Sequence, residues 1–363
     1  MKVNINKIQP ATVFLYSCIL LFFSSCAIDP QAWTSSPKPI MQDEFNLNDE
    51  LLNVEKLDLL GYSGAEEFVS DSAGNIYTGV HKSPTDFSSG AILKISKEGV
   101  VEEFLKTDAW VTGMAFDTQG RLLALMNGVG LIRIDHGHID TLLTETASGK
   151  PILMGSGLKI GSDGKIYFAN LSSTNQSSTK YFNKLILEMK PTGGVYAYDP
   201  EQKNVEVLSD GNYFANGLEL STDEQYLLVS ETSKYRILKY WLKGEKQGEV
   251  DVFMDNLPGF PNNIQRNSRG NYWIGFTTKR NDQLDKIHPS PGMKKIVYGL
   301  PEFLQPAADR FGMVFEVDEF GKVVRDLYDS QGVEVSEAGA VYECGEHLYL
   351  GGDVVPYVSK FKL

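Results

Sequence analysis

The sequence predicts an all-β protein: a six-bladed β-propeller of four-stranded antiparallel blades, with its ring closed by an N-terminal strand. Three observations carry this expectation. One hairpin pattern recurs as SDSAGNIYTG (70–79), FDTQGRLLAL (116–125), IGSDGKIYFA (160–169), LSTDEQYLLVS (220–230), RNSRGNYWIG (266–275) and YECGEHLYLG (342–351). Further short apolar strands follow most copies, so four-stranded units repeat roughly every 45–75 residues, as stacked blades require. Helical periodicity is scarce, with one short helix expected at 293–304. Two β-sandwiches are the alternative, but the even spacing of one repeated unit favours the ring.

The chain opens with Lys2 and Lys7, an apolar run from Ala11 to Phe23, then Ser24-Ser25-Cys26. That order is an export signal, and the run is shorter than the ~20 apolar residues of a membrane-spanning helix. Phe23-Ser24-Ser25-Cys26 resembles a bacterial lipobox, with Phe where Leu is usual. Cys26 is therefore the candidate lipidation site of an exported, membrane-anchored lipoprotein of the periplasm or cell surface. Simple secretion and an uncleaved anchor are the alternatives. Residues 26–50 are polar, Pro-bearing and aperiodic, and read as a flexible tether. The propeller is expected to span 51–363.

Within it, LLNVEKLDLL (51–60) is the strand that closes the ring against the last blade. Gly74, Gly120, Gly164 and Gly270 occupy hairpin turns that demand positive φ. Third strands follow as AILKIS (91–96), GLIRID (130–135), GVYAYD (194–199), RILKYW (236–241) and MVFEVD (313–318). The segments 173–190 and 277–311 read as rim insertions that would select a substrate. Phe260, Trp241, Tyr272 and Trp273 are expected between blades.

Of the three cysteines, only Cys344 falls in the folded body, which excludes an internal disulfide and a Cys-based zinc cluster. The formal charge of −13 becomes −15 once residues 1–25 and their two lysines are removed. So acidic a chain is not a nucleic-acid binder. The expected partner is a small molecule, with membrane contact only through the lipid anchor and a monomeric state.

In a propeller, residues at the start of each inner strand converge on the central channel. These are Glu66, Thr112, Ser156, Asn216, Asn262, Asn263 and Glu337. The set is oxygen-rich and suits a hard cation such as Ca²⁺. The competing reading is that Asn216-Gly217 and Asn262-Asn263 merely make turns. His136 and His138 alternate on one strand, but read as an exposed turn rather than a metal site.

The block ANGLELSTDEQYLLVSET (215–232), YRILKYWLKGEKQGEVDVFMDNLPGFPNNI (235–264) and GNYWIGF (270–276) resembles strictosidine synthase-like proteins. The similarity is greatest to the adipocyte plasma-membrane-associated protein-like branch. GAEEFVSDSAGNIYTG (64–79), GKIYFANLSS (164–173) and PTGGVYAYDP (191–200) extend it over the folded body. The resemblance implies a six-bladed propeller in the wider superfamily of gluconolactonases, paraoxonases and organophosphate hydrolases. It also implies a Ca²⁺ held by Glu66, Asn216 and Asn262, with Glu66 and Asn262 as the catalytic pair and Ser156, Asn263 and Glu337 contacting substrate.

Two positions depart from that family's pattern. Asn262 stands where an Asp is usual, and Ser156-Gly157 where Asn-Asp is usual. A carboxamide cannot act as base or nucleophile, and losing a negative charge weakens Ca²⁺ binding. The expected activity is hydrolysis of small lactones or aryl esters. The alternatives are a non-catalytic binding propeller with a degraded metal site, or metal-independent chemistry at a channel glutamate, for which Glu337 and Glu343 are the candidates.

Overall fold

A computed structural model describes residues 28–41, 45, 47–83, 87–174 and 179–363. The expected signal segment 1–25 and the lipidation site Cys26 lie outside the described residues. Six four-stranded sheets form the blades, each antiparallel and ordered from the channel outward along the chain. Their inner strands are Phe68–Ser70, Val111–Phe116, Gly155–Ile160, Ala215–Leu220, Gly259–Arg266 and Ala340–Cys344. The last blade borrows its outermost strand from the N-terminus: Val54–Asp58 pairs with Tyr357–Lys362, aligning Val54 with Phe361 and Asp58 with Tyr357. That swap ties the two ends of the chain into one blade and so closes the ring, with Val54–Asp58 as that blade's outer edge. His136 and His138 are exposed, pairing with Asp135 and Asp140.

The repeated hairpins end in small residues for a packing reason. A Cβ at Gly79 would overlap the carbonyl oxygen of Val111, one at Gly275 those of Ala338 and Gly339, and one at Gly351 that of Ala65. In each case the second strand of one blade lies directly on the inner strand of the next. Blade two carries Leu125 there instead, and its side chain fills the space left by Gly113 and Gly155. Apolar side chains pack between neighbouring blades, as where Leu228, Ile274, Phe276 and Phe315 form one buried cluster. Each such fully buried side chain contributes roughly 1.5–3 kcal/mol. Tyr272 joins that cluster, Trp241 packs against its edge, and Trp273 is buried one blade further on.

Among the described residues, three helices cap one face of the ring: α1 (Thr179–Glu188), α2 (Asp282–Ile287) and α3 (Pro291–Gly299). The expected helix at 293–304 corresponds to α3 and a following 3-10 turn, Glu302–Leu304. Its start is set by Ser290, whose hydroxyl accepts from the Met293 N–H, with Pro291 in the first turn. Helix α2 falls outside the expected elements, although Asn281 caps it by accepting from Gln283 and Leu284. Its six residues are too few to show a period.

The expected tether differs most from its sequence reading. Residues 28–41 form a strap laid across these helices. The Asp29 and Gln31 N–H groups donate to the Glu188 carboxylate and carbonyl, and the Trp33 N–H to the His288 carbonyl. Lys294 Nζ reaches the Gln31 carbonyl at 2.7 Å, and Arg280 the Ser36 carbonyl at 2.9 Å. Polar composition suggests flexibility, but isolated apolar anchors hold the segment: Ile28 is buried, and Trp33 packs on Tyr235 and His288.

His288 is fully buried, with neither ring nitrogen hydrogen-bonded. Burial, then the Lys294, Lys234 and Arg280 charges, push its pKa down to about 3. Unfolded chains bind a proton there near pH 6.5, so this group removes stability as pH falls from 6.5 toward 3 and leaves it unchanged above. We expect acid unfolding of wild type to exceed that of His288→Phe by about 1.4 kcal/mol per pH unit in that window. Parallel stability–pH curves for the two proteins would refute this.

Candidate functional site

The inner strands are not regular where they meet the site. Pairing register shifts between Val111 and Met114, Ser156 and Leu158, Ala215 and Leu218, and Pro261 and Ile264. Four successive blades therefore carry a β-bulge at Thr112-Gly113, Ser156-Gly157, Asn216-Gly217 and Asn262-Asn263. Bulges re-aim side chains, which is why they gather at functional sites. The Asn pairs are thus bulges inside strands, not turns. Gly157 has φ +51, and a Cβ there would crowd the Asn216 carbonyl and the Leu218 amide. The bulges of adjacent blades stack on one another around the channel.

All seven predicted channel residues are buried. Ser156 Oγ donates to Asn216 Oδ1 at 2.7 Å, and Asn216 Nδ2 to Thr232 Oγ1 at 3.2 Å. Thr112 Oγ1 donates to the Gly155 carbonyl at 2.6 Å. Asn263 Nδ2 donates to the backbone carbonyl of Glu66, and Asn262 Nδ2 to Thr277 Oγ1 at 3.2 Å. Each amide thus donates one N–H, while Asn262 Oδ1, Asn263 Oδ1 and Glu66 Oε2 are buried without a hydrogen-bond partner.

Asp353 is the functional residue that sequence reasoning missed. It follows Gly351-Gly352, and a Cβ at Gly352 would strike the Glu337 carboxyl. The glycine pair is the signal that was available, since it marks a close approach of backbone to a side chain. The Asp353 and Val354 N–H groups donate to Glu337 at 3.0 and 3.4 Å, while His81 Nε2 lies 2.7 Å from the Asp353 carbonyl. Glu66, Glu337 and Asp353 form a buried carboxyl cluster. Burial first, then the Asp353 and Glu337 charges, hold the Glu66 pKa well above the carboxylate range. Burial and then Asp353 push Glu337 up to about 8, against the opposing backbone N–H groups. Glu343 lies elsewhere, bound to Trp273 Nε1 at 2.6 Å and to Arg269.

Above this floor opens a cavity of about 390 Å³. The rim insertions supply its walls: Phe182, Ile186 and Leu187 from α1, and Leu284, Ile287 and Val297 from the second insertion. Phe214 and Phe260 complete an apolar barrel over Asn216, Glu337 and Asp353. Further down, Lys159 of blade three bridges Glu67 of blade one and Glu219 of blade four, at 3.2 and 3.5 Å. Blades one and four face each other across the ring, so this triad spans the channel axis. Burial alone would lower the Lys159 pKa, but Glu219 and Glu67 outweigh it and raise it.

The family description "Strictosidine synthase" matches residues 156–245, and "Strictosidine synthase-like, N-terminal" matches 43–82. The adipocyte plasma membrane-associated protein of Gallus gallus is 30% identical over 363 residues, covering 93% of this chain and 85% of that one. The chain belongs to the strictosidine synthase-like family. The corresponding protein of Salmo salar is 29% identical, over 95% of this chain and 86% of its own. Strictosidine synthase-like 13 of Arabidopsis thaliana is 36% identical over 201 residues, 54% of this chain and 49% of that one.

Among solved structures, a Xanthomonas campestris gluconolactonase superposes on this strictosidine synthase-like chain with TM-score 0.60 at 18% identity, covering 93% and 98% of the two chains. The calcium-binding regucalcin of Agrobacterium tumefaciens gives 0.57 at 12% identity, covering 85% and 92%. These likenesses show a shared ring fold. Among the described residues no helix is long and apolar enough to cross a membrane. Nor do three His, Cys, Asp or Glu side chains among the described residues of this strictosidine synthase-like propeller form a group that could hold a metal ion.

Proposed function

We propose that this strictosidine synthase-like propeller is an exported hydrolase of small lactones or aryl esters, anchored through Cys26 and acting at the floor of the capped pocket. The observation that carries this reading is the trio of buried oxygens left without donors, Glu66 Oε2, Asn262 Oδ1 and Asn263 Oδ1, beside the Glu66–Asp353 carboxyl pair. Buried acceptors facing no N–H suit a hard cation, which binds through oxygen. Glu66, Asp353, Asn262 and Asn263 would hold it, with the Asn216 oxygen half-occupied by Ser156.

Ca²⁺ bound there supplies Lewis-acid polarisation of an ester carbonyl. The remaining work falls to the chain. Phe182, Phe214 and Phe260 grip the apolar body of the substrate, while a water admitted to the floor adds to the carbonyl carbon as its C–O bond to the leaving oxygen breaks. Glu337, held by two backbone N–H groups, faces the pocket as the proton carrier for the leaving oxygen. Asn262 has no charge to offer as a base, so its part is to bind and orient. A second reading, metal-independent acid–base chemistry at Glu337, has one observation in its favour: of Glu66 and Glu337, only Glu337 lines the capped cavity above the floor.

The test is a panel of lactones and aryl esters assayed in EDTA and in millimolar Ca²⁺, with calorimetric Ca²⁺ titration of wild type and Asn262→Asp. We expect hydrolysis that EDTA abolishes, and Ca²⁺ affinity raised roughly tenfold in Asn262→Asp by the added ligand charge. Activity that survives EDTA but not Glu337→Gln selects the second reading. Neither binding nor turnover would leave a ligand-binding propeller and reject both.

A further inference from the structure

The face that carries the pocket mouth also carries an apolar surface that no described residue covers. Met293 and Ile296 on α3 and Phe303 and Leu304 in the following turn are exposed at 45%, 58%, 84% and 56%. Pro301, Pro306, Ala307 and Ala308 beside them are exposed as well. The patch is continuous with the site below, because Val297, Pro306, Ala307 and Ala308 line the cavity and Gln305 folds back onto the Tyr298 and Leu300 carbonyls.

The N-terminal end of the strap fixes what lies opposite. Ile28 and Asp29 sit at the end of α1, and the Gln31 carbonyl takes the Lys294 ammonium of α3. From Ile28 back to the apolar run ending at Phe23 is five residues. Even fully extended they reach at most ~17 Å. On the anchored reading proposed above, and whether the run itself or a lipid on Cys26 enters the membrane, the anchor holds this face within a few residues of the bilayer. The chain is too acidic to adsorb through charge. An aromatic and aliphatic patch with two exposed lysines at its edge, Lys286 and Lys295, instead suits the boundary between headgroups and acyl chains.

We propose that the surface formed by Met293, Ile296, Phe303 and Leu304 docks into a lipid bilayer, so that the pocket mouth opens at the membrane interface and admits amphiphilic molecules from it. This assignment is independent of the chemistry at the pocket floor. Its test uses the full chain reconstituted into phosphatidylcholine vesicles whose acyl chains are brominated near the headgroup. Phe303→Trp is compared with Phe320→Trp, since Phe320 is 81% exposed but sits in a hairpin turn on the opposite face. Fluorescence above the wild-type background should fall at least twofold for Trp at 303 and remain unchanged at 320. Equal quenching at both positions, or none at 303, would overturn the proposal; the latter would reassign the patch to a protein partner.

Discussion

Glu66→Gln should melt at a higher temperature than wild type in EDTA at pH 7–8, and lose the stabilisation that Ca²⁺ gives wild type. The reason is the buried carboxyl cluster. Glu66, Glu337 and Asp353 share one water-poor floor, and folding must load protons onto groups that the unfolded chain would release. A carboxyl whose folded pKa is raised stabilises the fold fully below its unfolded pKa, and loses that contribution as pH rises through the folded value. The substituted carboxamide is neutral at every pH and needs no proton taken up from solvent. The gain should be present near neutral pH and should shrink as pH falls toward 4.5, where the unfolded chain takes up the proton as well. Melting curves at both pH values, with and without Ca²⁺, read all of this. A variant less stable than wild type in EDTA at pH 8 would show that the cluster is not under this electrostatic load.

Gly351→Ala should be severely destabilising although it adds one methyl group. Its Cβ would meet the Ala65 carbonyl oxygen, backbone that cannot swing aside as a side chain does. Either blades one and six part at the ring closure, or the segment carrying Glu66 is displaced. Overpacking of this kind costs about 3 kcal/mol or more, which for a chain of this size lowers the melting temperature by roughly 6–12 °C. Gly211→Ala is the control, because nothing lies within 4 Å of a Cβ there. Indistinguishable melting of the two variants would mean that the blades meet less tightly than the structure shows.

The ring was legible because its information is local and repeated. Every hairpin carries its own turn glycine or turn Asp/Asn, and a polar residue stands near the start of each inner strand. The channel residues followed from that register alone. Asp353 escaped because it comes from the loop after a second strand, not from the start of an inner one, and only the glycines before it betray the close approach to Glu337. The strap escaped for a different reason. Its binding rests on main-chain hydrogen bonds and on single anchors such as Trp33, and neither leaves a periodic trace in the sequence. Helix α1 was hidden inside an insertion whose length was evident but whose fold depends on Phe182 finding Phe87 and Phe214.

The bridge from Glu67 through Lys159 to Glu219 has a mechanical consequence. It ties opposite blades together below the site, so that parting them would strand buried charges of both signs at once. The ring is braced across its middle as well as stapled at its rim.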